Sequence, residues 1–338
     1  MVSGMTQLGV LYDMRNANRP DRSYEVFYQE VLDQVGELEA MGYDSIWVTE
    51  HHCTDDGYTP SPMPLIAAMA QRSPNLRYGT NVLLAPLHHP MRVAEDAATL
   101  AVLTQGRFTL GIGAGYSPKE FSGFGQNIRH RPSLMTETVE ILRRAFTGEQ
   151  FSYQGKRYQL TDAQVHPVAQ TPPKIYLGGL AAPACDRAVA LGDGFMGAWP
   201  SSLPPYADAL ERAGYARTDG AIGGMPVWWV IAEDPEREWA RVGDHALYQI
   251  NKYASWGAFP KAFADRDELL ASEIWQCFDA SRAVDEIVKL VEEFPQLEDI
   301  HVFAALPGES MDTATPRLRY IGEHVLPEAR KRLAALGN

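Results

Sequence analysis

The sequence predicts an α/β protein with the architecture of a (β/α)8 (TIM) barrel that carries insertions. Three observations predict it: eight short runs rich in Val, Ile, Leu, Phe and Tyr, a helical pattern after each run, and a chain of 338 residues. Strands that alternate with helices indicate right-handed βαβ units and a parallel sheet. Eight such units can close into a barrel of roughly 250 residues before insertions. An open doubly wound sheet is the alternative, although no GxGxxG motif follows the first strand.

The eight predicted strands are short, β-branched or aromatic, and bounded by turn residues. In chain order they are Leu8–Tyr12, Ser45–His52, Leu76–Thr80, Phe108–Ile112, Lys174–Leu177, Gly194–Gly197, Val227–Ala232 and Ile300–Phe303. Apolar residues at helical spacing predict the intervening helices. These helices span 24–41, 64–72, 91–103, 132–147, 183–191, 198–213, 235–294 with a break at 257–260, and 316–336 with a kink at Pro327.

Two stretches exceed what a plain barrel needs, residues 150–172 and 235–280. Tyr153, Gly155 and Tyr158 indicate a small hairpin in the first of them. No Pro/Ser-rich linker, charge run, low-complexity segment or repeat interrupts the chain. We therefore expect one domain, residues 1–338, with insertions near 150–172 and 235–280.

Composition excludes several classes of partner. The formal charge is −13, which argues against nucleic acid or an anionic membrane as the main partner. No apolar run is long enough to span a bilayer. Three scattered cysteines without a CxxC motif suggest a reducing, cytoplasmic location, and the first residues lack the pattern of a signal peptide.

Polar and small residues gather where the predicted strands end. The carboxyl ends of parallel strands meet at one mouth of a barrel, where such folds place their chemistry. The residues concerned are Tyr12-Asp13, Glu50-His51-His52, Asn81, Gly113-Ala114-Gly115, Gly178-Gly179 and Trp199. A Glu-His pair at a strand end either takes part in catalysis or only caps the strand end, with the two side chains bonded to each other. The residues alone leave both interpretations open.

Two further features of the predicted mouth give weaker evidence about function. Residues 178–183 lead into a helix, so their backbone N–H groups either form a phosphate site or only a structural turn. Histidines and carboxylates do not show the spacing of metal ligands, so no metal is predicted.

A series of motifs then identifies the chain as similar to a known superfamily. The motifs are Glu50-His51-His52, Tyr78-Gly79-Thr80-Asn81, His89-Pro90-x-Arg92-x-x-Glu95-Asp96, Gly106-Arg107-Phe108, Gly111-Ile112-Gly113, Lys119-Glu120-Phe121, Phe124-Gly125, Gly178-Gly179, Leu191-Gly192-Asp193-Gly194 and Val325-Leu326-Pro327. Their order, spacing and residue types resemble the bacterial-luciferase-like flavin-dependent monooxygenase superfamily over nearly the whole length.

The resemblance implies a reduced FMN cofactor in the barrel mouth, where O2 forms a peroxyflavin that oxygenates a small organic substrate. It makes His51 the catalytic residue, because an imidazole exchanges protons near neutral pH, with Glu50 orienting it or lying in the flavin pocket. It also implies a cis peptide bond between Asn81 and Val82, beneath the flavin ring. The expected cofactor-binding residues are Tyr12, Asn81, Val82, Gly113, Ala114, Gly115, Arg131, Gly178, Gly179 and Leu180. The expected substrate pocket contains His88, Trp199, Trp256 and Phe259, and residues 252–264 are a candidate substrate lid.

The chain also departs from the luciferase pattern. The arginine that holds the FMN phosphate in the luciferase α subunit is replaced by Ala114; Arg131 could supply a charge if the loop alignment slips by one residue, and otherwise backbone amides must bind the phosphate. This departure keeps open a deazaflavin-dependent oxidoreductase that transfers hydride, and a non-catalytic partner resembling the luciferase β subunit. No nicotinamide fingerprint is visible, so a separate NAD(P)H:flavin reductase is expected to supply FMNH2. Homodimerisation is expected from the resemblance.

Overall fold

The computed structural model describes residues 6–337. Eight parallel strands form a barrel: β1 (Gln7–Tyr12), β2 (Ser45–Val48), β3 (Arg77–Thr80), β4 (Phe108–Gly113), β5 (Lys174–Gly178), β6 (Gly194–Met196), β7 (Ile222–Val227) and β8 (Asp299–Phe303). Each strand pairs with the next one in sequence, and β8 pairs with β1. The sheet is therefore closed, which confirms the predicted barrel and excludes the open doubly wound sheet.

The interior of the barrel is filled by large side chains that need small residues opposite them. The Trp47 indole is buried, and a Cβ built on Gly79 of the neighbouring strand would lie 2.3 Å from that ring. Gly224 faces the same indole from across the barrel, at 3.2 Å. Leu11 and Phe303 belong to this inner cluster as well. Glycine at these two positions leaves the space that the Trp47 indole fills, because a side chain at either position would crowd the ring.

A second apolar layer lies between the strands and the surrounding helices. Alternate strand residues such as Val10 and Ile46 belong to it, and they are fully buried. The helices are Tyr24–Leu38, Pro62–Arg72, Pro90–Leu103, Pro118–Gly123, Arg131–Ala145, Ala182–Leu191, Leu203–Arg212, Pro235–Ser255, Arg266–Ala271, Ala280–Glu293, Met311–His324 and Leu326–Ala335. In the described part of the chain, none of them combines the length and apolarity needed to cross a bilayer.

The predicted seventh strand was misplaced. The barrel strand is β7, whereas Trp229–Ile231, within the predicted 227–232, forms a separate two-stranded parallel sheet with Gln276–Phe278. Two glycines and a proline give β7 a weak strand signal. The glycines are required by packing, because a Cβ on Gly223 would meet the Tyr176 ring at 1.9 Å. The strand Gln276–Phe278 also interrupts the predicted helical region 235–294.

The first insertion contains the predicted hairpin. Phe151–Gln154 pairs antiparallel with Gln159–Ala163.

The last helical region begins at Met311, earlier than predicted, because Ser310 caps it by accepting a hydrogen bond from the Asp312 N–H. It divides into two helices at Val325, two residues before the proline that was expected to kink it. The single-domain boundary stays a prediction.

Candidate active site

His51 lies just after β2 and is held by a carboxylate from the short helix Pro118–Gly123. Its Nδ1 is 2.7 Å from Oε1 of Glu120, which also accepts a 2.8 Å hydrogen bond from the backbone N–H of His52. Both side chains are buried. Because the carboxylate oxygen is the acceptor, Nδ1 of His51 carries a proton, and Nε2 is the ring nitrogen that faces away from Glu120. The Tyr116 hydroxyl lies 3.3 Å from that Nε2.

Aromatic rings enclose the other sides of His51. The ring centroids of Tyr58 and Trp256 lie 4.7 and 4.9 Å from its imidazole, and Tyr253 lies 6.0 Å away. The hydroxyls of Tyr58 and Tyr253 are hydrogen-bonded at 2.7 Å. A reactive nitrogen in such an apolar enclosure is shielded from water, which strengthens its hydrogen bonds and charge interactions.

The two tyrosines rest on a buried ion pair. Arg15 pairs with Asp13 at 2.5 Å, and its guanidinium lies 4.6 Å from the Tyr58 ring and 5.0 Å from the Tyr253 ring. Cation–π contacts of this kind are strongest where water is excluded. The ion pair therefore fixes the rings that pack against His51.

The prediction that Glu50 orients His51 is wrong. The Glu50 carboxylate is fully buried and bonds instead to His52 Nε2 at 2.8 Å, to His88 Nε2 at 2.6 Å and to the backbone N–H of Leu84. Neighbouring residues of an extended chain point to opposite sides, so Glu50 and His52 share one side while His51 faces the other. Burial raises the pKa of Glu50, but the hydrogen bonds from His52 and His88 outweigh it and bring that pKa to about 2.

His88 was expected in the substrate pocket, and the structure places it on Glu50 instead. Glu50, His52 and His88 bring three donor atoms within 4.8 Å of one another, an arrangement that metal sites also use. Ligands about 2.0–2.1 Å from a tetrahedral zinc lie roughly 3.3 Å apart, whereas these O···N distances are those of direct hydrogen bonds. Hydrogen bonds among the three side chains therefore fit these distances better than a shared metal ion does. That the protein binds no metal stays a prediction.

Asn81 and Val82 form a partly exposed floor at the end of β3, and the peptide bond between them is cis, as the resemblance implied. A Cβ on Gly113 or Gly178 would lie 2.5 or 3.1 Å from the Val82 side chain. These glycines of the neighbouring strands therefore make room for Val82. The side of Val82 facing the mouth remains open because the residues beside it are small.

Tyr12 does not belong to the mouth. Its hydroxyl donates a 2.7 Å hydrogen bond to Gln34 in the helix Tyr24–Leu38, and its ring lies in the layer between strands and helices. Leu11 is the β1 residue that enters the barrel interior. The cofactor prediction for Tyr12 is thus wrong, because strand alternation turns its side chain outward.

The remaining predicted cofactor residues lie on loops at the strand ends. Ala114 and Gly115 follow β4, and Gly179 and Leu180 follow β5; all four are at least partly exposed. Arg131 starts the helix Arg131–Ala145, is partly exposed, and has no ion-pair partner among residues 6–337. Its charge is free to meet an anion.

The aromatic residues predicted for the substrate pocket form one cluster. Trp199 and Phe259 have ring centroids 5.5 Å apart, and Phe259 continues to Trp228 at 6.3 Å and to Tyr253 at 6.4 Å. Trp256 reaches His51 from the same segment. We call residues 256–263 the aromatic cover, since its rings lie against His51 and the wall formed by Trp199 and Trp228.

Sequence reasoning missed Glu120, Tyr116 and Tyr58 as site residues. Glu120 stood inside a motif that supported the resemblance, Lys119-Glu120-Phe121, so the signal was present without an assigned role. Its second oxygen, Oε2, is buried and has no hydrogen-bond partner in the described part of the chain. An acidic residue in a Gly-rich loop is ordinarily solvated, and only the fold brings this one to His51.

Comparisons with known proteins show the family of this chain. The family model for luciferase-like monooxygenases matches residues 7–283. A relative from Microbacterium testaceum, an F420-dependent glucose-6-phosphate dehydrogenase, is 27% identical over 90% of this chain and 94% of its own length. A match to a protein of Sinorhizobium fredii is partial: it is 30% identical and covers 55% of this chain and 52% of that relative.

Two solved structures share the fold. The monooxygenase RslO1 from Streptomyces bottropensis gives a TM-score of 0.82 at 22% identity, covering 96% of this chain and 99% of that one. The oxygenating constituent of 3,6-diketocamphane monooxygenase from Pseudomonas putida, solved with FMN, gives 0.74 at 18% identity with the same coverage. With a family model that spans most of its length, the chain belongs to the luciferase-like monooxygenase family of oxidoreductases.

Proposed function

We propose that the protein is a monooxygenase that uses reduced FMN and O2 to oxygenate a small organic substrate. The observation that carries this proposal is the buried pair of His51 and Glu120 beneath the aromatic cover. An imidazole that is held by a carboxylate at Nδ1, has Nε2 beside a tyrosine hydroxyl and is shielded from water can act as a general base or acid in oxygen transfer.

The floor of the mouth fits a flat ring system. Asn81 and Val82 are partly exposed at the end of β3, and β4 and β5 beside them end in Gly113 and Gly178. The Val82 side chain occupies the space that a Cβ at either glycine would need, so Val82, small and partly exposed, is the surface on which a planar group would lie. When bound, reduced FMN supplies the electrons and the O2 activation, which protein side chains cannot.

Backbone groups are available for the cofactor phosphate. The helix Ala182–Leu191 has no side-chain cap, and the exposed N–H groups of Leu180, Ala181 and Ala182 have no acceptor within residues 6–337. Unpaired N–H groups at a helix start favour an anion. Together with Arg131, they substitute for the arginine that Ala114 replaces.

The pocket wall favours an apolar or aromatic substrate. Trp199, Trp228, Tyr253, Trp256 and Phe259 form it, and the buried cation behind them, Arg15, is already paired with Asp13. Rings of this kind bind apolar groups by dispersion and burial. A phosphorylated sugar would find no free charge on this wall.

A second candidate function is hydride transfer with F420, the deazaflavin coenzyme. It is favoured by the relative that matches over almost its whole length and whose name states F420 dependence. His51 and Glu120 suit this reaction as well, because it also needs a proton acceptor beside the cofactor ring. A non-catalytic partner role is less consistent with the chain, which keeps a fully assembled His–Glu pair.

The supply of reduced cofactor belongs to the same proposal. The absence of a nicotinamide fingerprint in the sequence favours a separate NAD(P)H:flavin reductase as the source of FMNH2. Assembly as a homodimer in the cytoplasm is proposed from the family resemblance.

Cofactor titration tests the choice between the two functions. We expect anaerobic FMNH2 to bind the purified protein with a measurable change in flavin absorbance, and NADH plus FMN to yield an oxygenated organic product only after a flavin reductase is added. The product is the readout, because free FMNH2 consumes O2 without this protein. Omission of the reductase is the control. Tight binding of F420 without any binding of FMNH2 would replace the first function by the second.

Replacement of Glu120 by Gln tests the geometry of the pair. The amide can present its NH2 group to His51 and so favour the wrong tautomer. We expect kcat to fall by between about 10-fold and the roughly 10⁴-fold seen when a buried carboxylate partner of a general base becomes an amide. KM and flavin affinity should change little, as steady-state kinetics and titration would show. An equal rise in KM with kcat unchanged would instead assign Glu120 to substrate binding.

A further inference from the structure

A chain of polar groups runs through the barrel interior to the floor of the mouth. His301 on β8 is fully buried, with Nδ1 3.2 Å from Oδ1 of Asp299 and Nε2 3.1 Å from the Nδ2 amide of Asn81. Its ring is stacked on Trp47 at 5.4 Å. Asp299 is held in turn by the Ser45 hydroxyl at 2.5 Å. Every link of this chain is therefore fixed by a neighbour.

The contacts determine where each proton lies. Asn81 Nδ2 also lies 3.4 Å from the carbonyl oxygen of Gly197, which can only accept a hydrogen bond. The amide nitrogen of Asn81 is consequently the donor to both partners. His301 Nε2 must then be unprotonated, and its proton is on Nδ1, directed at Asp299. Burial lowers the pKa of His301, in agreement with a neutral ring.

This assignment leaves the amide oxygen of Asn81 unused. No hydrogen bond to that oxygen comes from residues 6–337, and Asn81 is partly exposed at the mouth. In a planar amide the oxygen lies on the other side from the NH2 group, so the Asn81 oxygen is directed away from His301 and Gly197. It lies beside Val82, on the floor where the flat ring of the cofactor is proposed to bind.

We propose that Asp299 and His301 are positioning residues that lock the Asn81 amide with its oxygen outward, as a hydrogen-bond acceptor for a ring N–H of the bound flavin or deazaflavin. Both ring systems carry an imide N–H, so the inference holds for either cofactor. It rests on the proposed function, in that a flavin-type ring must occupy the mouth. A preset acceptor loses little entropy on binding, which is the advantage of preorganisation.

A double-mutant cycle on flavin affinity tests this inference. The variants are Asn81→Leu, His301→Leu and the double variant, with His301→Gln as the conservative replacement, since its side-chain oxygen can still accept from Asn81. The matched control is His245→Gln, a histidine bonded to the Pro307 carbonyl outside this chain. Dissociation constants for FMN and for F420 are measured by quenching of cofactor fluorescence.

The expected result is a loss of about 3- to 10-fold in affinity for Asn81→Leu and for His301→Leu, the value of one neutral hydrogen bond. The double variant should lose no more than either single one, because both remove the same contact. His301→Gln should bind within about 2-fold of the unaltered protein. Undiminished affinity in His301→Leu, or additive losses, would overturn the inference while leaving the proposed function intact.

A measurement on the unaltered protein covers the case in which His301→Leu does not fold. In nitrogen-15 NMR of the nine histidines, the His301 signals, identified by their loss in His301→Gln, should show a protonated Nδ1 and an unprotonated Nε2 that shifts when flavin is added. A protonated Nε2 at His301 overturns the assignment. If the unaltered protein binds neither FMN nor F420, the proposed function fails, and this inference fails with it.

Discussion

Replacement of His51 by Ala is expected to lower kcat by roughly 10²- to 10⁴-fold, the usual cost of losing a general acid or base. His51 is the group whose free Nε2 faces the Tyr116 hydroxyl and the aromatic cover, with Glu120 on its other nitrogen. Alanine removes the proton-exchanging group and leaves the carboxylate without its partner. The rate should be measured with saturating FMNH2 and substrate, so that binding effects do not enter.

Binding of the cofactor should survive this change. The proposed floor is built from Asn81, Val82 and the glycines after β4 and β5, none of which depends on His51. We expect the dissociation constant for FMNH2 to stay within about 3-fold. His89→Ala is the matched control, because this histidine is exposed, caps a helix by accepting from the Met91 N–H and packs against Tyr158, away from His51. Unchanged oxygenation by His51→Ala would remove His51 from the mechanism.

Replacement of Glu50 by Gln should have the largest effect on stability. The Glu50 carboxylate accepts hydrogen bonds from His52, from His88 and from the Leu84 N–H, all in a buried site. The amide has a single oxygen, so its NH2 group must face one of these donors. Breaking a buried charged network costs about 3–5 kcal/mol, and we expect a loss of free energy of unfolding in that range, measured by urea denaturation.

The same variant should change the acid dependence of stability. The pKa of Glu50 in the folded protein is about 2, and an unfolded Glu has a pKa near ~4.3. A lowered folded pKa gives stability that is fully present above about pH 4.3 and is lost as the pH falls toward 2. The difference in Tm between the unaltered protein and Glu50→Gln should therefore narrow between about pH 5 and pH 3.

An exposed carboxylate provides the control for both measurements. Glu95 forms a surface ion pair with Arg92 on the helix Pro90–Leu103, and such pairs contribute about 0–1 kcal/mol. Glu95→Gln should leave Tm and its acid dependence nearly unchanged. A Glu50→Gln variant as stable as this control would mean that the three donors find other acceptors.

Local patterns in the sequence were sufficient to predict most of the barrel. Seven of the eight strands carry β-branched and apolar residues that signal an extended, buried segment without reference to the rest of the chain. The exception is β7, whose glycines and proline weaken that signal. Gly223 and Gly224 of this strand are required by the rings of Tyr176 and Trp47, which pack against them. These contacts join residues far apart in the sequence, so a local pattern does not predict them.

The sequence by itself also placed His51 at the barrel mouth, because a histidine after a buried strand can be located from the strand alone. It could not decide which carboxylate holds that histidine. Glu50, adjacent in sequence, points to the opposite side of the strand and serves His52 and His88 instead. Glu120 reaches His51 from 69 residues away. Side-chain direction and long-range contact depend on how the elements pack, so only the tertiary structure decided which carboxylate holds His51.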